Sequence, residues 1–359
     1  MSKSIPTPND KEVKELIALY KAKDFNKLKN KADAILEKNK EHHIALNILG
    51  LSFTAQGDIE KALRSFDESI KIKPDYAVAY NNKANIFLKK KEYDEAIILF
   101  KKAYNFDPTT KIKFNLANCY FKKEEFDEAI QMYEEIIDAD DKLLEAHKNL
   151  GLSYQAKEKY DEAFKVFERI LSIDSHNIDA KFNLGNIYLA KNNYEEANNV
   201  FNELIEASID PRFHYNNGVA YQYRKEYELA IDEYKKTTKL DTNNLKALHN
   251  IAVCYKGIDD DENALKYLKK CQSKDPQSEE ANENLANFYL SLSDYSNAIK
   301  HYKKILEINP KNLESLSNLG ISYLMSNKLD EALEEFQTAH SINADSFELM
   351  RLIGEIYYR

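Results

Sequence analysis

The chain contains no tryptophan, and among its 359 residues it has only eight glycines, seven prolines and three cysteines. Each scarcity excludes something. Cys119, Cys254 and Cys271 form neither a CxxC pair nor an even disulfide framework, so a disulfide-stapled secreted fold is excluded and buried thiols in a reducing compartment are expected. No apolar run approaches the length of a membrane span, and the opening MSKSIPTPND lacks an apolar stretch of signal-peptide length. These absences predict a cytoplasmic or nuclear protein without membrane insertion. A basic surplus is also missing. With 51 Lys and Arg against 60 Asp and Glu the net charge is −9, which argues against a dedicated nucleic-acid partner.

The groupings that carry catalysis are absent too. Eight histidines supply no HExxH and no His/Cys set at zinc spacing, and the glycines cannot assemble a phosphate cradle. The acidic run Asp259, Asp260, Asp261, Glu262 lacks the alternating ligands and central glycine of a calcium loop. No catalytic residue, metal or cofactor is therefore expected.

What is present repeats. Gly50, Gly151, Gly185, Gly218, Gly320 and Gly354 are separated by 33 or 34 residues or by simple multiples of that spacing, and Ala84, Ala117, Ala252 and Ala286 fill the vacant slots. The contexts agree: NILGLSF, FNLANCY, KNLGLSY, FNLGNIY, SNLGISY, RLIGEIY. Three residues after each small residue, from Phe53 in the first of these contexts to Tyr357 in the last, stands an aromatic on the same helix face.

About twelve residues after each small slot an alanine follows within a charged, aromatic-led start such as EYDEA, KYDEA or KLDEA, which opens a second helix with acids at its positive end. Four residues beyond that alanine come Phe66, Phe100, Tyr133, Phe167, Phe201, Tyr234, Tyr302 and Phe336. Pro74, Pro108, Pro276 and Pro310 fall where the second helix must stop, and Pro211 stands where a first helix opens.

These residues resemble the tetratricopeptide repeat, which the chain follows over nearly its whole length, although the early tryptophan of that family is replaced by residues such as Leu46, Tyr80, His147 and Leu248. The resemblance implies an all-α, right-handed superhelical solenoid of antiparallel helix pairs, with the first helix of each pair on the concave wall. The expected organisation is a tail over 1–8 and a degenerate first repeat over 9–42 that keeps Leu16, Leu19, Leu28, Ala32 and Ile35. Nine repeats follow at 43–76, 77–109, 110–143, 144–177, 178–210, 211–244, 245–278, 279–312 and 313–346, and 347–359 supplies the first helix of an incomplete tenth repeat or a cap.

One constellation exceeds what packing requires. Two residues before the small slot stand Asn82, Asn115, Asn149, Asn183, Asn216, Asn250, Asn284 and Asn318, although asparagine is a mediocre helix former. A row of carboxamides can hydrogen-bond the backbone of an extended peptide, or it can bridge to the adjacent hairpin. Similar ladders line the groove of the tetratricopeptide arm of O-linked N-acetylglucosamine transferases, so the resemblance implies peptide binding. Asn85, Asn118, Asn186 and Asn287 broaden the strip, and Lys111, Lys148, Arg212, Lys246 and His249 join it with Phe114, Phe182, Tyr215 and Tyr223, followed by Glu280, Glu283 and Glu314.

The expected function is a scaffold that binds an extended peptide or partner protein in the concave groove. A substrate-recruiting arm of a multidomain transferase and a structural subunit of a large assembly, of ciliary or cell-cycle type, are the alternatives. The apolar helix over 347–358 predicts self-association or another docking event.

Overall fold

The computed structural model describes residues 10–358, and the tail expected over 1–8 lies outside the described residues. Among the described residues the regular structure is helical throughout. Two compact units divide the chain, one ending at Ala180 and the other beginning at Lys181.

The first unit holds α1 (Asp10–Lys21) with α2 (Phe25–Lys38), α3 (His43–Gln56) with α4 (Ile59–Ile72), α5 (Ala77–Lys89) with α6 (Tyr93–Phe106), α7 (Thr110–Lys122) with α8 (Phe126–Ala139), and α9 (Leu144–Ala156) with α10 (Tyr160–Ile173). The boundary falls within α11 (Ile178–Ala190). The second unit continues with α12 (Tyr194–Ala207), α13 (Pro211–Tyr223) with α14 (Tyr227–Leu240), α15 (Leu245–Gly257) with α16 (Asp261–Lys274), α17 (Glu279–Ser291) with α18 (Tyr295–Ile308), α19 (Leu313–Met325) with α20 (Leu329–Ile342), and α21 (Phe347–Tyr358).

Every turn inside a hairpin has the same construction. A residue in the left-handed region follows the first helix, and the next amide reaches back five residues, as in Glu92 N–H to the Phe87 carbonyl at 2.9 Å and Asp294 N–H to the Tyr289 carbonyl at 2.9 Å. Gly57, with φ of 82°, is the left-handed residue of one turn, whereas Lys23, Lys91, Glu124, Glu158, Asn192, Lys225, Asp259, Ser293 and Asn327 take φ between 58° and 66°. Gly257 does not serve this way. It ends α15, and a Cβ there would lie 2.8 Å from the Tyr227 ring.

Second helices end where sequence demands it. Lys73, Asp107, Asp275 and Asn309 cap α4, α6, α16 and α18 and are each followed by proline, which has no amide to continue the ladder. Side-chain caps start others, with Asp24, Asp58, Asp260 and Asp294 accepting from the Lys27, Lys61, Asn263 and Asn297 amides.

The core sits between the helices of each pair. Ala62 with Phe66, Ala96 with Phe100, Ala129 with Tyr133 and Ala163 with Phe167 are fully buried in the first unit, and Ala197 with Phe201, Ala230 with Tyr234, Ala298 with Tyr302 and Ala332 with Phe336 in the second. Where the facing first helix carries glycine in the small slot, the ring lies directly on it. A Cβ on Gly151 would meet Phe167 at 2.6 Å, and one on Gly320 would meet Phe336 at 2.5 Å. Closer helix approach is thus obtained by deleting a side chain where a ring must lie. The weaker first hairpin buries Leu16, Leu28, Ala32 and Ile35.

Gly354 breaks the pattern, since nothing lies within 4 Å of a Cβ built on it. Gly151→Ala should therefore destabilise the chain by about 1–3 kcal/mol through overpacking. Gly354→Ala should stabilise α21 by about 1 kcal/mol through helix propensity. Urea unfolding of the two variants checks this opposition of sign.

Candidate peptide-binding strip

The first helices carry the asparagines at one register: Asn82 on α5, Asn115 on α7 and Asn149 on α9 in the first unit, and Asn183 on α11, Asn216 on α13, Asn250 on α15, Asn284 on α17 and Asn318 on α19 in the second. All are half-buried. Their amide groups reach the preceding hairpin. Asn82 Nδ2 donates to Asn47 Oδ1 at 3.0 Å, Asn115 to Asn81 Oδ1 at 2.9 Å and Asn149 to Asn118 Oδ1 at 2.8 Å. In the second unit Asn216 donates to Asn186 Oδ1 at 2.6 Å, Asn250 to Tyr234 Oη at 3.1 Å, and Asn318 to Asn287 Oδ1 at 3.4 Å, while Asn284 Nδ2 lies 3.0 Å from His249 Nδ1.

The bridge between hairpins is thus a hydrogen-bonded one, and the acceptors are residues that the asparagine row alone does not reveal. Those on first helices follow a rule that is legible in retrospect. The acceptor lies either three residues before the small slot, as Asn47, Asn81 and His249 do, or one after it, as Asn118, Asn186 and Asn287 do. Where Phe114 and Phe182 occupy the first place, asparagine stands at the second. Asn85 has a different role and donates to its own helix at the Asn81 carbonyl, 2.8 Å away.

Two buried tyrosines join the network. Tyr133 donates to Asn118 Oδ1 at 2.6 Å and Tyr302 to Asn287 Oδ1 at 2.5 Å, so each carboxamide oxygen receives one bond from its own hairpin and one from the next. Burial pushes both phenols well above the ordinary tyrosine range.

At seven of the eight ladder asparagines the donor side is engaged and the acceptor side is open. Among the described residues no donor is placed on Oδ1 of Asn82, Asn115, Asn149, Asn216, Asn250, Asn284 or Asn318. Cavities open beside them: about 520 Å³ at Phe114, Asn118 and Asn149, about 240 Å³ at His249, Asn284 and Phe288, and about 320 Å³ at Glu314, Asn318 and Leu352. A larger one of about 690 Å³ lies away from the ladder, between α3 and α4 at His43, Leu46 and Ile72.

The charges differ from a simple basic lining. Lys111 and Lys246 are exposed, but Lys148 Nζ sits 2.7 Å from Asp179. Arg212 pairs with Asp210 at 2.6 Å and lies 5.0 Å from the Phe182 ring centroid. Its guanidinium holds the Asp210 carboxyl below the usual range. Phe114, Phe182 and Tyr215 pack edge-on or tilted against Tyr133, Phe201 and Tyr234, and Tyr223 stacks on Tyr194 at 5.0 Å. Glu283 is raised above the ordinary carboxylate range by burial and then by Glu314, Glu279 and Glu280.

Among the described residues no group of three His, Cys, Asp or Glu side chains is placed to hold a metal, and no helix is long and apolar enough to cross a membrane. The three thiols are buried, which pushes Cys119 and Cys271 up to about 11 and Cys254 up to about 12.

Family comparison agrees with the hairpin geometry. Tetratricopeptide repeat profiles match residues 41–109, 108–175 and 277–345, with further matches at 154–215 and 246–278. The chain belongs to the tetratricopeptide repeat family. This tetratricopeptide array is 33% identical over 66 residues to the tetratricopeptide repeat domain-containing protein PYG7, chloroplastic, of Arabidopsis thaliana; the match covers 18% of this chain and 22% of that protein's length. Among solved structures, the C-terminal part of a TPR repeat-containing protein from Cytophaga hutchinsonii is similar with TM-score 0.53 and 24% identity, covering 66% of this chain and 98% of that one. A tetratricopeptide repeat protein from Parabacteroides merdae gives TM-score 0.51 at 17% identity, covering 69% and 98%.

Asn149→Ala should lower stability by about 1 kcal/mol, the net value of a hydrogen bond. Combined with Tyr133→Phe it should give a non-additive loss, because both donors share one oxygen; a double-mutant cycle by urea unfolding reads the coupling. The thiols should resist alkylation at pH 8 in the native chain and react on unfolding. Since their folded pKa lies above the ordinary 9.0, stability should fall as pH rises from about 9 towards 12.

Proposed function

We propose that this tetratricopeptide array is a non-catalytic protein-binding scaffold that holds an extended peptide against its first helices. The observation that carries the reading is that seven ladder asparagines, Asn82, Asn115, Asn149, Asn216, Asn250, Asn284 and Asn318, have their amide donors engaged while their carbonyl oxygens remain open. An acceptor row calls for a ligand that offers donors at regular intervals, and the N–H groups of an extended backbone do so. Helices pack about 8–10 Å apart and an extended chain advances about 3.3 Å per residue, so about three ligand residues would pass each hairpin.

Aromatics beside the strip would take apolar ligand side chains, and the acids at Glu280, Glu283 and Glu314 would favour basic ones. Three buried, unpaired thiols favour a reducing, cytoplasmic setting.

The test uses peptides selected from a random display library on the full chain. Replacing Asn216, Asn250 and Asn284 by alanine should weaken the selected peptide at least about tenfold, corresponding to about 1.4 kcal/mol, at a temperature where melting curves show the variant folded. N-methylation of the peptide at one residue in three should have a similar effect. An affinity unchanged by both alterations overturns the proposal.

A further inference from the structure

Within the second unit, two side-chain stripes run beside the ladder. His249, Val253 and Lys256 stand on α15 at i, i+4 and i+7, and Glu280, Asn284 and Phe288 on α17 at i, i+4 and i+8. The cavity of about 240 Å³ opens between the two helices, lined by His249, Val253, Asn284 and Phe288 and by the buried Ala252 and Leu268.

The rung beside this cavity accounts for its apolar character. Asn284 bonds to His249, three residues before the small slot, so the place one after that slot needs no acceptor and holds Val253, which is 39% exposed. On α7, α11 and α17 the same place holds Asn118, Asn186 and Asn287, each the acceptor of a rung. Lys256, at the cavity's end, is neutralised by Asp261 at 2.8 Å.

The polar edge of the cavity complements a peptide backbone. An amide nitrogen only donates, so His249 Nδ1 accepts from Asn284 and the neutral ring carries its proton on Nε2. Burial holds His249 below the ordinary histidine range, which keeps it neutral. Among the described residues Nε2 meets no acceptor and Asn284 Oδ1 meets no donor. Toward α19 the strip turns acidic. Glu283 has Glu314, Glu279 and Glu280 as its charged neighbours, and no cation of the described residues pairs with it.

We propose that the strip reads one residue pattern: a large apolar ligand side chain seated in the cavity between α15 and α17, and an arginine or lysine about three residues away at Glu283 and Glu314. The pattern rests on the peptide-binding reading above. His249 Nε2–H and Asn284 Oδ1 receive the peptide carbonyl and N–H beside the apolar side chain. The apolar walls select the first residue and charge complementarity the second.

The probes are two peptides of serine and threonine carrying one leucine and one arginine at that spacing, in the two possible orders, titrated with the full chain. One order should saturate with Kd on the order of 10–100 μM, and replacing its leucine by serine or its arginine by glutamine should weaken it at least about tenfold. Val253→Gln puts a carboxamide into the cavity from an exposed position, so it should cancel the leucine's advantage and leave the arginine's. Glu283→Gln with Glu314→Gln should do the reverse. Both variants should melt no lower than the unaltered chain, and double-mutant cycles should show coupling confined to these two pairs. No saturation by either order below about 1 mM overturns the proposal, as do leucine and arginine effects that persist in both variants. If library-selected peptides depend on the ladder asparagines yet carry no such pattern, this inference fails and the peptide-binding reading stands. Affinity indifferent to Asn216, Asn250 and Asn284 removes both.

Discussion

A large second-helix side chain lying on a glycine or alanine of the first helix holds each hairpin of this molecule together. Phe167 over Gly151 and Phe336 over Gly320 fix how closely two antiparallel helices approach, and that separation sets where the remaining side chains of each first helix point. The contact is dispersion and burial, so it gives distance but little rotational precision. Directional bonds supply the rest. The asparagines fix how one hairpin turns against the next, and the backbone bonds of the left-handed turns fix how each hairpin closes.

The helix pairs were legible in the sequence because their determinants recur at a fixed period. Gly185, Ala197 and Phe201 announce a hairpin by spacing alone. The turns were less legible. Glycine marks the left-handed residue at Gly57, but lysine, glutamate, aspartate, serine and asparagine take that conformation elsewhere, closed by the same backward-reaching amide bond. Local geometry imposed from both sides overrides a preference of about 1–2 kcal/mol. Nothing in the identity of Lys91 or Glu124 signals it.

The candidate strip was half legible. The asparagine row is evident from its spacing, but its partners depend on which of two polar positions the previous helix offers, and a regular column of donors carries no mark of that alternation. Lys148 and Arg212 read as cations for a ligand, whereas each meets an aspartate from its own chain, Asp179 and Asp210. Sequence spacing reports which face a side chain occupies and leaves open which neighbour it finds there.

The seven rungs described above run one way. Each amide donates toward the chain's beginning, from Asn82 to Asn47 and from Asn318 to Asn287. A hairpin added by duplication after an existing one brings its own donor and needs from its predecessor only an oxygen or ring nitrogen, which several residue types can offer. The donor is therefore narrowly constrained and the acceptor loosely so, and such an asymmetry lets an array lengthen or exchange hairpins without both surfaces of a junction having to change together.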